Sequence, residues 1–240
     1  MFDSKYGKVL TVLLIVLIIA IVGLLCFFGY EKLKKSKNDK EAIAAIEEFN
    51  RDHDINPDAT ATPPVEETPS DDDGDVTEIT PTTPSDSGNS GNSGSNSSAS
   101  NSDGKTYYKG FVMVGYIEIP KTNVKLPILE KVTKKSLETS VAIIYPLEAK
   151  LNQPGNVVIA GHNYRNQMFF SNNKKLQSGD KIYITDESGK KLTYVVYNNF
   201  EAAPEDTSFY ARNTEGVPEI TLTTCTQDSS KRTIILAKAQ

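Results

Sequence analysis

The sequence contains few of the residues that most often carry nucleophilic chemistry, with two cysteines and two histidines among 240 residues. Cys26 lies inside a long apolar run, whereas Cys225 lies near the C-terminus in a polar, strand-rich region. Because these surroundings are so different, we expect no intrachain disulfide, and a disulfide-stapled scaffold is excluded. The cysteine count therefore does not indicate the redox compartment of the protein.

The apolar run that contains Cys26 has no charged residue over the 22 positions 9–30. As a helix it would extend about 33 Å, which is enough to cross a hydrocarbon core of about 30 Å. A cleaved signal peptide has a shorter apolar core that is followed by small residues, and the sequence after Cys26 offers no such site. We therefore predict a retained membrane anchor at residues 9–30, preceded by a short N-terminal segment, residues 1–8.

The region after the anchor changes composition twice. Residues 31–50 contain good helix formers, with Ile43, Ile46 and Phe49 spaced for one helix face, and they are predicted to form a helical stalk. Residues 51–104 are rich in Ser, Thr, Pro, Gly, Asn and Asp, with twelve acidic residues and one basic residue. Such a segment buries too little apolar surface to offset its chain entropy. We interpret it as a disordered acidic linker that tethers the domain at residues 105–240, with a mean span of roughly 40 Å.

Residues 105–240 carry 18 Lys and Arg against 13 Asp and Glu, without a dense basic cluster, so nucleic-acid binding is not expected. Their apolar runs and turn signals predict eight short strands, at 110–119, 124–129, 141–145, 156–161, 181–185, 191–198, 219–224 and 233–237. Short helical segments are predicted at 134–139 and 166–174. Eight regularly spaced strands are typical of a closed barrel or a sandwich. The long irregular stretch 199–218 is predicted to be functional.

Two predicted strands end in reactive residues, His162 and Cys225. A lone thiol and a lone imidazole at strand ends suggest a nucleophile and its base. Arg232 opens the next strand, and the turn between them would bring its guanidinium near the sulfur, where it could stabilise an oxyanion. Lys231 is the adjacent alternative, although it would point to the opposite sheet face. Spacing alone does not decide between this catalytic set and three structural residues, such as a buried cysteine.

The sequence around these residues resembles the sortase family of cysteine transpeptidases. TLTTC at 221–225, followed by Arg232, resembles the family's cysteine signature, and IAGH at 159–162 resembles its histidine segment. GYIEIP at 115–120, followed by LPI at 126–128, resembles its opening strands. The resemblance covers residues 107–238.

This resemblance implies an eight-stranded β-barrel with short helices, no metal or organic cofactor, and His162, Cys225 and Arg232 as the catalytic residues. In this family the thiolate attacks the Thr–Gly bond of an LPxTG-like sorting signal. An amine of a peptidoglycan precursor or a pilin lysine then resolves the thioester. By the same resemblance, Thr224 would line the substrate groove, and residues 199–218 would shape the choice of sorting motif.

The resemblance also implies a cytoplasmic N-terminus and an extracellular catalytic domain on a Gram-positive cell membrane. The five lysines at 32–40 favour the opposite orientation by the positive-inside rule, although long domains translocate despite it. The linker has no Asp-Pro-aromatic lid, which argues against a pilin-polymerising sortase. The same residues are also compatible with a hydrolytic cysteine peptidase or a non-catalytic wall-binding module. Some members use calcium, but Glu118, Glu130 and Glu138 form no recognisable loop site.

Overall fold

A computed structural model of the chain describes residues 5–56 and 104–240. Two parts of the chain lie outside the described residues: residues 1–4 of the predicted N-terminal segment 1–8, and residues 57–103 of the predicted disordered linker 51–104. The described helices are α1 (Lys5–Asp52) and α2 (Lys134–Thr139). The strands are β1 (Tyr107–Tyr108), β2 (Phe111–Ile119), β3 (Val124–Leu129), β4 (Val141–Tyr145), β5 (Gly155–Ala160), β6 (Lys181–Asp186), β7 (Lys191–Ala202), β8 (Pro218–Cys225) and β9 (Arg232–Ala239).

Eight of the strands close into a barrel. Their order is β2-β3-β4-β5-β8-β9-β7-β6, and β6 pairs back onto β2 to complete the closure. The two-residue strand β1 adds to β2 outside this ring. Most neighbours are antiparallel, but β3–β4 and β5–β8 are parallel. The structure thus confirms the predicted all-β, eight-stranded barrel with short helices.

Alternation along each strand separates the barrel core from its outer surface. On β8, the side chains of Ile220 and Leu222 are buried in the apolar core, as expected for residues two apart on one face. On β2, Gly115 permits close contact with β6, because a Cβ at this position would lie 2.4 Å from the backbone oxygen of Thr185. Closure of the barrel at this point therefore requires a residue without a side chain.

Two predicted segments differ from the structure. Strand β7 continues to Ala202, so the irregular stretch predicted at 199–218 begins four residues later, at residue 203. The helix predicted at 166–174 is wrong, since only the 3₁₀ turn Asn173–Lys175 is present there. Gln167 and Phe169 have φ values of 69° and 49°, and such left-handed residues interrupt helical hydrogen bonding. Burial of Phe170 in the core overrides the local helix propensity of this segment.

Helix α1 does not stand apart from the barrel. Its side chains at Ala42, Ala45, Ile46 and Phe49 are at most 2% exposed, whereas Ile43 is 42% exposed. The buried face packs on a cluster outside the barrel core, formed by Tyr108, Met113, Tyr116, Leu129 and Ala142. The predicted stripe through Ile43, Ile46 and Phe49 is therefore shifted, because small alanines at 42 and 45 let the helix approach the sheet closely.

Candidate active site

Cys225 and Arg232 face each other across the end of a strand pair. Cys225 ends β8, Arg232 begins β9, and the two residues are directly paired in the antiparallel register. Paired residues place their side chains on the same face of the sheet. As a result, Nη1 of Arg232 lies 3.3 Å from Sγ of Cys225. The structure therefore places a permanently charged donor against the sulfur.

The neighbouring cation, Lys231, does not share this position. Its Nζ lies 3.3 Å from a carboxylate oxygen of Glu201, and both side chains are exposed. Lys231 closes the turn through its backbone instead, since its carbonyl oxygen accepts a hydrogen bond of 3.0 Å from the Thr226 N–H. Of the two cations considered from the sequence, Arg232 is the one that contacts the thiol.

His162 is brought to the same end of the barrel by a parallel strand pair. Ala160 of β5 pairs with Thr223 of β8, and the Gly161 N–H donates to the Thr223 carbonyl oxygen at 3.1 Å. Because the carboxyl ends of parallel strands meet at one edge, His162 and Cys225 extend from adjacent strand ends. The fold therefore groups the three predicted catalytic residues at one edge of the barrel.

The imidazole of His162 is partly buried. Desolvation lowers its pKa below the ordinary value, and the nearby carboxylate of Glu138 opposes this effect only in part. Glu138 is presented by α2, whose N-terminus is fixed by reciprocal hydrogen bonds between Thr133 and Ser136. The ring is therefore mainly neutral near pH 7, which is the protonation state that a general base requires.

This pKa shift predicts a stability change at acidic pH. His162 has a pKa near 6.5 when unfolded and a lower pKa when folded, so the unfolded chain binds the proton more readily. We expect the free energy of unfolding to fall as the pH drops from 6.5 toward the folded pKa. Urea denaturation across this window should show a smaller pH dependence in His162→Gln than in the wild type. His53→Gln controls for loss of a histidine elsewhere, and an equal reduction there would contradict the assignment to His162.

Residues directly after His162 also belong to the site, and no sequence motif pointed to them. Nδ2 of Asn163 donates to the carbonyl oxygen of Cys225 at 2.9 Å, which ties the histidine loop to the cysteine strand. The ring of Tyr164 lies 4.8 Å from the His162 ring, centroid to centroid. The Asn163 contact joins residues 62 positions apart, so no local pattern could predict it.

The loop at residues 203–217 is held against the barrel by polar contacts near the starts of β5 and β8, including those of the buried Asn156 amide. Nδ2 of Asn156 donates to the carbonyl oxygens of Phe209 and Tyr210, at 3.1 and 2.8 Å. Burial raises the pKa of the Tyr210 hydroxyl, while the positive charge of Arg232 acts in the opposite direction. Tyr210 is therefore close enough to Arg232 to sense its charge, and the loop supplies a phenol to the edge of the site.

Thr224, the predicted groove residue, is oriented differently from Cys225. It is 4% exposed and lies on the same strand face as the core residues Ile220 and Leu222, opposite the face that carries the thiol. Its hydroxyl has no hydrogen-bond partner among the described residues. Substrate contact by Thr224 stays a prediction.

The three acids considered for calcium lie in separate places. Glu118 pairs with Lys125 and Lys191 at 2.8 and 3.0 Å, whereas Glu138 lies beside His162. Glu130 is near Lys105 and Lys131. Within residues 5–56 and 104–240, no group of three His, Cys, Asp or Glu side chains is arranged to hold a metal ion. Independence from metals and cofactors stays a prediction.

Gly161, directly before His162, lies against the core with no space for a side chain. A Cβ at Gly161 would lie 2.6 Å from Cδ2 of Phe170 and 2.9 Å from Cγ1 of Val141, and both neighbours are fully buried. We expect Gly161→Ala to lower the free energy of unfolding by about 1–3 kcal/mol, as overpacked cores do. Urea denaturation of the full chain in detergent measures this change. An unaltered midpoint would show that the backbone at residue 161 can shift to accommodate the added methyl group.

The fold and the site define a class of protein: a closed β-barrel that presents a thiol, a guanidinium and an imidazole at one edge. The family model for the Sortase domain matches residues 117–240, which is more than half of the chain. The chain therefore belongs to the sortase family, as the sequence motifs predicted.

Individual sortases are similar to this chain over about half of its length. The chain is 33% identical over 126 residues to Sortase A of Bacillus anthracis, covering 51% of this chain and 58% of that protein. It is 27% identical over 129 residues to Sortase A of Streptococcus agalactiae serotype III, covering 52% and 51%. The chain thus matches little more than half the length of these relatives. A solved Sortase D5 transpeptidase of Clostridium perfringens is 32% identical, with a TM-score of 0.48 over 53% of this chain and 79% of that one.

Proposed function

We propose that this protein is a membrane-anchored cysteine transpeptidase. It cleaves an LPxTG-like sorting signal through a thioester on Cys225 and transfers the acyl group to an amine of a cell-wall precursor. The observation that carries this proposal is the 3.3 Å contact between Arg232 Nη1 and Cys225 Sγ, in a chain of the sortase family. The contact pairs a nucleophile with the charged donor that its tetrahedral intermediate requires.

The proposed acylation step begins with proton transfer from Cys225 to the neutral imidazole of His162. The thiolate then forms a bond to the carbonyl carbon of the sorting-signal threonine, and the charge that develops on the carbonyl oxygen is stabilised by Arg232. Collapse of this intermediate breaks the Thr–Gly C–N bond. The leaving amine takes the proton from the His162 imidazolium, so charge and protons balance.

The proposed second step reverses these roles. An incoming neutral amine attacks the thioester carbonyl and gives a proton to His162. The C–S bond then breaks, and the departing Cys225 thiolate takes this proton from the His162 imidazolium, which restores the thiol and the neutral imidazole. Water in place of the amine would make the protein a hydrolytic peptidase. The lowered pKa of His162 supports both steps, because an imidazole that is mainly neutral can accept a proton at each stage.

The proposed location is the cell membrane, with a cytoplasmic N-terminus and an extracellular barrel. Helix α1 supports an anchor, since it contains a segment long and apolar enough to cross a membrane, beginning at Leu10. The side chains of residues 10–30 are exposed in the protein itself, which fits contact with lipid rather than with a protein core. Membership of the sortase family supports this proposed orientation, because sortases act on substrates of the cell wall, outside the membrane.

The test uses the full chain in detergent, an LPxTG-containing peptide, and a small amine such as a glycine oligomer. We expect an enzyme adduct that carries the peptide up to its threonine, seen by intact mass, and a transpeptidated product when the amine is present. Hydrolysis in the presence of amine would favour the peptidase. No adduct with any peptide of a sorting-motif library would favour the non-catalytic wall-binding module. Replacing the amine with a pilin lysine peptide tests the pilin-polymerising alternative.

A further inference from the structure

Helix α1 is continuous from Lys5 to Asp52. The apolar segment and the part that packs on the barrel therefore belong to one uninterrupted helix. Its buried or partly buried side chains recur every three or four residues from the first position after the apolar run. This recurrence is typical of one helix face. The centre of this face comprises Glu31, Lys35, Asn38, Asp39, Ala42, Ala45, Ile46 and Phe49, and its margins comprise Glu41, Glu48 and Asn50. Between Glu31 and Phe49 it extends about 27 Å, at about 1.5 Å per residue.

The C-terminal part of this face, residues 41–49, is attached to the barrel. The Phe49 ring packs edge-on against the Tyr116 ring, with centroids 6.2 Å apart. Nζ of Lys109 lies 2.6 Å from Oε2 of Glu41, beside this apolar contact. Apolar burial together with a close ion pair fixes both the position and the rotation of the helix on the sheet.

The N-terminal end of this face, at Glu31, contacts the active-site loop, residues 162–169, which begins at His162. Nδ2 of Asn166 donates to Oε2 of Glu31 at 3.2 Å. Glu31 directly follows the apolar run, and Asn166 is four residues after His162. The same loop is bound to the cysteine strand through Asn163. The catalytic edge of the barrel is therefore in contact with the point at which α1 would leave the membrane.

The first described range ends at residue 56 and the second begins at residue 104. Contacts near these two points show that they lie close together on the barrel. The Thr106 hydroxyl donates to Oδ2 of Asp52 at 3.2 Å, which joins the end of α1 to the start of the barrel segment. Ile55 lies against Gly189, where an added Cβ would be 3.1 Å from Cγ1 of Ile55. Asp52, near the end of the first described range, therefore lies beside Thr106, near the start of the second. The docked helix, rather than residues 57–103, sets the distance between the barrel and the apolar run.

We propose that α1 holds the barrel directly on the lipid bilayer, with the active-site loop at the level of the headgroups. The site would then favour substrates that are themselves attached to the membrane. Exposed lysines of α1 at positions 32, 34, 37 and 40 suit this position, because they can contact anionic headgroups. This inference rests on the membrane anchor and the transpeptidase activity proposed above, and it gives α1, rather than the predicted linker, the role of positioning the barrel.

The test compares two peptides with the same sorting motif, one soluble and one attached to a lipid, with the full chain in anionic vesicles. A flexible Gly-Ser insert of about 20 residues between Tyr30 and Glu31 would let the barrel move roughly 25 Å from the surface. We expect transfer of the lipid-attached peptide to fall about tenfold or more, because its effective concentration at the site falls. Transfer of the soluble peptide should not change. Deleting residues 60–100 should change neither.

A matched pair of helix variants tests the docking itself. Ile46→Asp places a charge in the buried face, whereas Ile43→Asp makes the same substitution on the exposed face three residues earlier. We expect Ile46→Asp to remove hydrogen-exchange protection from residues 42–50 and to lower transfer of the lipid-attached peptide. Ile43→Asp should do neither. Retained transfer of the soluble peptide by Ile46→Asp shows that the barrel is still folded.

Hydrogen exchange separates failure of this inference from failure of the proposed function. If the wild type transfers neither peptide, the proposed activity is wrong, while protection of residues 42–50 still supports docking. Wild-type exchange at these residues as fast as in Ile46→Asp would overturn the inference. It would equally be overturned if the 60–100 deletion, rather than the insertion at Tyr30, lowered transfer of the lipid-attached peptide.

Discussion

Cys225→Ala is expected to abolish both the thioester adduct and transfer, lowering the rate by a factor of at least about 10⁴, as loss of a catalytic nucleophile does. The remaining groups of the site cannot replace the thiol, because an imidazole and a guanidinium in this geometry only move protons and stabilise charge. Intact mass after incubation with the peptide measures the adduct, and a chromatographic assay measures the transfer product.

The alanine variant separates chemistry from folding with little ambiguity. Asn163 is bound to the backbone carbonyl of Cys225, so the histidine loop keeps its attachment. Nη1 of Arg232 also keeps a contact with the Lys231 carbonyl oxygen, at 3.4 Å. We therefore expect an unchanged denaturation midpoint.

The chain supplies a matched control in its second cysteine. Cys26 is in the apolar part of α1, so Cys26→Ala removes one thiol without touching the barrel edge. We expect full activity and an unchanged mass increase on adduct formation for this variant. An adduct that persists in Cys225→Ala and disappears in Cys26→Ala would refute the assigned nucleophile.

Much of the barrel could be predicted because its determinants are local. Alternating apolar residues and turn signals mark each strand, and all eight predicted strands are present with shifts of a few residues at their ends. The pairing of Cys225 with Arg232 is equally local, since a short turn between adjacent antiparallel strands fixes which residues face each other. This part of the candidate site follows from a spacing of seven residues.

Features that depend on contacts between distant residues could not be predicted. The buried face of α1 could not be located from its sequence, because Ile43 and Ile46 are chemically alike and only the barrel surface distinguishes them. The roles of Asn163 and Tyr210 likewise depend on how two loops pack beside β8. The segment 166–174 has a composition compatible with a helix, but tertiary burial of Phe170 selects an irregular backbone.

Arg232→Ala is expected to slow thioester formation about 10²–10³-fold, the usual cost of removing an oxyanion donor. When Sγ bonds to the substrate carbonyl carbon, the carbonyl oxygen gains charge near the guanidinium that already contacts this sulfur. Arg232→Lys should recover only part of the rate, because a lysine keeps the charge but not the planar fork of donors. Single-turnover acylation, followed by intact mass, isolates this step from amine attack.

Lys231→Ala is the matched control, since it removes the same charge one residue earlier. Its ammonium pairs with Glu201 on the exposed surface, where an ion pair contributes about 0–1 kcal/mol to stability. We therefore expect an acylation rate close to that of the wild type. A loss in Lys231→Ala as large as in Arg232→Ala would indicate a general effect of positive charge. If Arg232→Ala lowered stability but left the acylation rate unchanged, Arg232 would hold the strand end and take no part in the chemistry.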